Sequence, residues 1–234
     1  MKRLFLEITA LNHKFTFCLF VFAFALLSVP PTVAAQTLFG ETIQTMKFRL
    51  EQDTSLLPQL AVRFAEGDTT LNINQLSLLY YGYAINAEHN AQSESRILDA
   101  ASSLGRREKF EDAINLLDNF LEKNPGSLAA LLERAYTSWL VNDSLGTVNG
   151  YKKYYQLMEV PMQSGTGANL KSPIVVSSVR DMELVMDKKG YFIKSQSLLN
   201  RNGHKIYMLT CATEAEPDAK KYFYFNVDLP LGNR

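Results

Sequence analysis

Four groups of residues in this chain have types that chemistry needs, and their spacing limits what each can do. Ser164-Gly165-Thr166-Gly167 is the first. Its glycines would let successive backbone N–H groups cradle an anion. A nucleotide loop also needs a following Gly-Lys-Ser/Thr and a preceding strand, but the residues before Ser164 carry a helical pattern. A joint between modules is the plainer reading. His204 and Cys211 are the second group, since a thiol beside an imidazole makes a nucleophile pair. They lie seven positions apart, and an odd separation along one strand sends the side chains to opposite faces. Cys211 then reads as a small buried apolar residue. Asp53, Asp68, Asp112, Asp118 and Asp143 form the third, scattered without the spacing of a cation loop. The fourth is Tyr80, Tyr81 and Tyr83. Tyr80 and Tyr83 fall on an apolar helical stripe, whereas Tyr81 points off it and is expected to line a binding surface, as aromatic anchors often do. Of the remaining histidines, His13 lies in the N-terminal segment and His89 at a solvated helix end. No catalytic, metal or cofactor set emerges.

The elements that would position these residues begin after an N-terminal leader. Lys2, Arg3 and Lys14 precede Phe15 to Val29, a run of 15 residues without charge, which Pro30 and Pro31 end. Val33-Ala34-Ala35 then sets small residues before Gln36. That order predicts a secretory signal peptide over 1–35, because the run falls short of the roughly 20 residues that span a bilayer. A retained signal anchor is the alternative. Cys18 sits inside the run, between Phe17 and Leu19, which argues against a lipid anchor. Export places the protein in the periplasm or outside the cell, with no stable membrane insertion after cleavage. Taking Lys2, Arg3, Lys14 and Glu7 from 24 basic and 24 acidic residues leaves 21 and 23, a net charge of −2. Such a chain lacks the basic field that nucleic-acid binding uses. Cys211 would be the one cysteine left, so packing must hold the fold.

Periodicity divides the rest. Residues 36–160 read as helices. Leu56 to Phe64 is one, and Asn72 with Gln75 caps the next, whose stripe is Leu76, Leu79, Tyr80, Tyr83 and Ala84. Counting back from Pro125, the spacing resembles a tetratricopeptide unit. Ile97, Ala100, Ala101 and Leu104 take the first helix of that unit, and Phe110, Ala113, Leu117 and Phe120 the second. A degenerate second unit sets Leu131, Ala135 and Trp139 against Val148, Tyr151, Tyr155 and Met158. A plain antiparallel bundle fits the same period. Residues 161–172 form the glycine-rich joint, where backbone freedom should be greatest. Residues 173–234 read β-α-β-β-β: a strand from Ile174, a short helix over Asp181 to Lys188 with Ser178 and Asp181 as a capping box, a hairpin about Asn202-Gly203, and a strand from Tyr222. The fold class expected is α+β, a tetratricopeptide-like antiparallel helical repeat followed by a small, mostly antiparallel sheet with one short helix.

Several strings in order resemble the DUF4919 family. They are Arg63-Phe64-Ala65-Glu66-Gly67-Asp68-Thr69-Thr70-Leu71, Leu79-Tyr80-Tyr81-Gly82-Tyr83, Ser164-Gly165-Thr166-Gly167, Gln196-Ser197-Leu198 and Tyr224-Phe225-Asn226. The resemblance implies an exported bacterial protein and no particular activity. Thr166 stands where the resemblance leads us to expect an acidic residue, so any polar ligand of that loop would meet a hydroxyl here. Tyr81 and Thr166 are therefore the residues expected to touch a partner. The leading expectation is a non-enzymatic protein whose helical surface binds an envelope protein or peptide. The competing one is an envelope hydrolase with its site at Ser164–Asn169. A closed polar pocket there would favour the enzyme, and an open helical face would favour docking.

Overall fold

The computed structural model describes residues 36–85 and 91–232, so the signal-peptide reading and His89 lie outside the described residues. Helices start where side chains can cap them. Thr42 Oγ1 accepts the Thr45 N–H at 3.1 Å ahead of α1 (Ile43–Gln52). After α2 (Leu56–Ala65), Asn72 and Gln75 cap each other reciprocally at 3.0 Å to open α3 (Ile73–Ile85). Next come α4 (Ala91–Arg106) and α5 (Phe110–Lys123). Ser127 and Asp143 then cap α6 (Leu128–Leu140) and α7 (Ser144–Ser164) through the N–H groups of Ala130 and Gly146. Each such cap satisfies a donor that a helix end would leave open.

The sheet part contains β1 (Ile174–Val175), α8 (Asp181–Lys188), β2 (Phe192–Arg201), β3 (His204–Ala212) and β4 (Lys221–Asn226). Its strand order is β1-β4-β3-β2; β1 runs parallel to β4 and the other pairs are antiparallel. Asn202 and Gly203 both hold positive φ, 52° and 82°, which is the two-residue hairpin turn that their types predict. The fold class is α+β. The capping box before α8 forms only in half. Asp181 accepts the Ser178 N–H at 3.1 Å, but the Ser178 hydroxyl is drawn off to Glu94 at 2.5 Å.

One core runs through both parts: Leu79 and Tyr80 of α3, Leu157 and Met158 of α7, Ile174, Val185, Leu209 and Phe225 belong to it. A smaller cluster joins Leu98 and Ala101 of α4 to Ala113, Leu117 and Phe120 of α5 and Ala130 of α6; Ala101 and Ala113 sit at the contact as expected, whereas Ala100 is exposed. The second helix pair departs from its expected register. Trp139, Val148 and Tyr155 are exposed rather than lining the pair. The reason is the contact between Ala135 and Gly150, where a Cβ on the glycine would lie 2.8 Å from that of Ala135. With those two residues facing, the turn of α7 carries Tyr154, Leu157 and Met158 inward and swings Val148 and Tyr155 out.

Tyr81 is a second correction. It is fully buried, because α3 is central: nine of its 13 residues are buried, and α1, α2 and α7 all pack on it. A helix enclosed on several sides has no outward face for Tyr81 to occupy. The glycine-rich stretch is the third. α7 continues through Pro161 to Ser164, and Gly167 then accepts the Tyr224 N–H at 2.9 Å while donating to Ser172 O at 2.8 Å. The stretch expected to be loosest is thus tied along the sheet.

Candidate functional site

Polar groups gather at two places. The first is buried where α3, α4, α6 and α8 meet. The Tyr80 phenol donates to Asp181 Oδ2 at 2.5 Å and accepts the Ser177 N–H at 3.2 Å. Ser177 Oγ and the Ser178 N–H give the same carboxylate oxygen two further bonds, each 3.1 Å. Ser178 Oγ then donates to one oxygen of Glu94, and Ser127 Oγ to the other, both at 2.5 Å. Glu94 and Asp181 are 3% and 1% exposed. Among the described residues Asp181 Oδ1 has no hydrogen-bond partner, and it is buried. Burial first, and the Glu94 charge second, push the Asp181 carboxyl up to about 7. Burial also raises the Tyr80 phenol well above its ordinary value. The cavity beside Glu94, Ser127 and Ser177 holds about 10 Å³, room for about one water and no substrate. The cluster's chemistry is therefore the holding of a proton on the Asp181 carboxyl near Glu94.

The second place is an open cleft of about 600 Å³ between α2, α5, α6 and α7. Phe64, Leu121, Pro125, Leu131 and Leu145 form its apolar surface. Arg134 anchors the polar side. Its Nε and Nη2 grip the Asp118 carboxylate at 2.9 and 3.2 Å, and its Nη1 reaches Ser138 Oγ at 2.5 Å and Asp143 Oδ2 at 3.7 Å. The hydrogen bonds that Arg134 donates to Asp118 raise its pKa above the ordinary value. Lys153 donates to the Ala65 carbonyl at 2.6 Å, and burial, with Arg134 nearby, lowers its pKa. Arg134 and Lys153 thus have partners within the chain, and the apolar groups, with the exposed Glu122 and Asn149, are left to meet a ligand. Leu145, on the rim, is 73% exposed.

The DUF4919 profile, described as a domain of unknown function, matches residues 45–234. The chain belongs to this family. No curated protein and no solved structure matches it. Both polar places of this DUF4919 protein fall within the matched residues.

Neither residue expected to touch a partner lines the cleft. Tyr81 donates from its buried hydroxyl to the Val175 carbonyl at 3.1 Å, and burial raises its pKa. Thr166 is exposed, and its Oγ1 accepts the Ala168 N–H at 3.3 Å. At the joint, Ser164 Oγ donates to the Pro161 carbonyl and accepts the Val175 N–H, both at 2.9 Å, which leaves it a structural peg. His204 and Cys211 stand at opposite ends of β3. The imidazole Nδ1 lies 2.6 Å from Asp228 Oδ2, while burial pushes the Cys211 thiol up to about 11, where it is a poor nucleophile. Asp118 and Asp143, scattered in the sequence, both hold Arg134. The spacing of 16 positions between Arg134 and Asp118 gives no local signal of that pair. Among the described residues no group of three or more His, Cys, Asp or Glu is arranged to hold a metal ion, and no helix is long and apolar enough to cross a membrane.

Proposed function

We propose that this DUF4919 protein is an exported, non-enzymatic binding protein that takes a protein or peptide partner into the cleft between α2, α5, α6 and α7. The supporting observation is the cleft itself: about 600 Å³, open, with an apolar floor of Phe64, Leu121, Pro125 and Leu131, and edged by a leucine that is 73% exposed. A leucine left in water beside an apolar groove gains about 1.5–3 kcal/mol when a partner covers it. The ion pairs around Arg134 keep the wall rigid, so a partner meets a preformed surface. On this reading the helices act in the manner of a tetratricopeptide array, presenting one face to an extended segment.

A photo-crosslinking residue at position 145, introduced in the native host, should trap one discrete envelope protein, and the same residue at the exposed Lys123 should not. Equal adducts from both positions, or none from 145, would reject the docking site. Export has its own test. N-terminal sequencing of the native protein should begin at or near Gln36, as the uncharged run of 15 residues ahead of Pro30 leads us to expect. A chain that keeps Met1 in the membrane fraction would replace cleavage by anchoring.

A further inference from the structure

We propose that the outer edge of β2 pairs with β2 of a second copy of this chain, antiparallel about a two-fold axis at Leu198, so that two four-stranded sheets become one. β2 ends the strand order, and among the described residues β3 is the strand paired with it. The hairpin turn decides which of its backbone groups face outward. In a two-residue turn the closing pair, here Arg201 and His204, exchanges both hydrogen bonds, and bonded and non-bonded pairs then alternate. Leu199, Ser197 and Ser195 therefore bond to β3. Gln196, Leu198 and Asn200 turn their N–H and C=O groups away from it.

Such an edge is a template for pairing, and folded proteins usually guard it with charge, proline or a bulge. Here the bulge lies at the start of the strand, between Ile193 and Ser195. The charges of β2, Lys194 and Arg201, lie towards its two ends. The six residues between them, Ser195 to Asn200, contain no charge, no proline and no glycine. Leu198, in that stretch, is 49% exposed.

A second copy fits this edge because its own sequence is compatible with itself in the antiparallel sense. An antiparallel register centred on Leu198 sets Arg201 opposite Ser195 and Lys194 opposite Asn202. A parallel register would stack Lys194 on Lys194, and like charges directly opposite destabilise a pair. The antiparallel register also pairs Gln196 with Asn200, whose amides both donate and accept, and lays Leu198 on Leu198. Three outward residues on each copy supply about six backbone hydrogen bonds. The chain carries 24 basic and 24 acidic residues, so no long-range repulsion opposes the approach.

Sedimentation velocity of the purified protein over a wide concentration range should show a monomer–dimer equilibrium. Leu198→Pro removes an N–H that points away from β3, so it should leave the hairpin folded and weaken the dimer by about tenfold or more. Leu198→Cys gives an independent reading: across such a pair the Cα atoms lie about 5.5 Å apart, within disulfide reach, so mild oxidation should link two chains. Cys211 is buried and stays out of that reaction. Monomer at every concentration, a dimer that Leu198→Pro leaves intact, or failure of the Leu198→Cys protein to cross-link would each overturn the proposal. So would an added extended peptide that binds β2 while the protein itself remains monomeric.

Discussion

Asp181→Asn should make the protein more stable at pH 8 by about 2–4 kcal/mol and flatten the change in its stability between pH 5 and pH 8. The native carboxyl titrates at about 7, against 3.8 for an unperturbed group, because it is buried beside Glu94. Between those values the folded chain holds a proton that the unfolded chain has lost. The stabilisation tied to that proton is complete below the unfolded value and disappears as pH rises through about 7. Above it, two buried carboxylates repel each other. An asparagine keeps the shape. Its carbonyl can take the place of Oδ2 and accept from Tyr80, Ser177 and Ser178, and its amide takes the place of Oδ1, where the lack of a partner among the described residues takes back part of the gain. Asp181→Ala is the contrasting variant. It strands those three donors in the interior, at about 1–3 kcal/mol each, and should destabilise at every pH. Urea midpoints across pH 5–8 for the native protein and both variants would check this. Asp68, which hydrogen bonds from Thr70 hold at about 2, stays ionised across this range, and the reading is the difference between the native protein and the Asp181→Asn variant. A difference that stays constant over that range would place the proton elsewhere.

Gly165→Ala should cost about 2–4 kcal/mol, a large effect for one methyl group. The φ of Gly165 is −177°, an extended conformation open to any residue, so no backbone strain is involved. The cost is collision. A Cβ would fall on the carbonyl oxygen of Pro173, 2.7 Å from its carbon and 3.0 Å from the carbonyl oxygen of Ser172. These are backbone atoms leading into β1, which cannot rotate aside as a side chain would. Relief requires shifting β1 from β4 or lifting the end of α7 off the core. Gly105→Ala in α4 is the control. A Cβ there meets nothing within 4 Å, and alanine favours the helix by about 0.5–1 kcal/mol. Thermal melts of the two variants should move in opposite directions. A Gly165→Ala protein that melts with the native one would mean that the approach to Pro173 is not present in solution.

Residues close along the chain settle caps and turns among themselves, and these features were legible in the sequence. The reciprocal cap of Asn72 and Gln75 spans three positions, and it forms. Asn202-Gly203 must turn left-handed, and it does. Ala113 had to be small where helices touch, and it is fully buried. The short helix over Asp181–Lys188 and the change from a helical to a two-residue period were equally plain. Which face of each helix turns inward came from packing instead. Tyr81 read as outward because one stripe of α3 is more apolar than the rest, yet packing on several sides buries it against the Val175 carbonyl. Trp139, Val148 and Tyr155 read as inner residues, until the contact between Ala135 and Gly150 fixed how α6 and α7 face each other. The buried polar cluster was invisible because its partners lie far apart along the chain. Glu94 meets Ser178 across 84 positions, and Tyr80 meets Asp181 across 101. Hydrogen bonds and desolvation depend on distance in space. Caps and turns depend on distance along the chain, and that second distance is the one that a sequence displays.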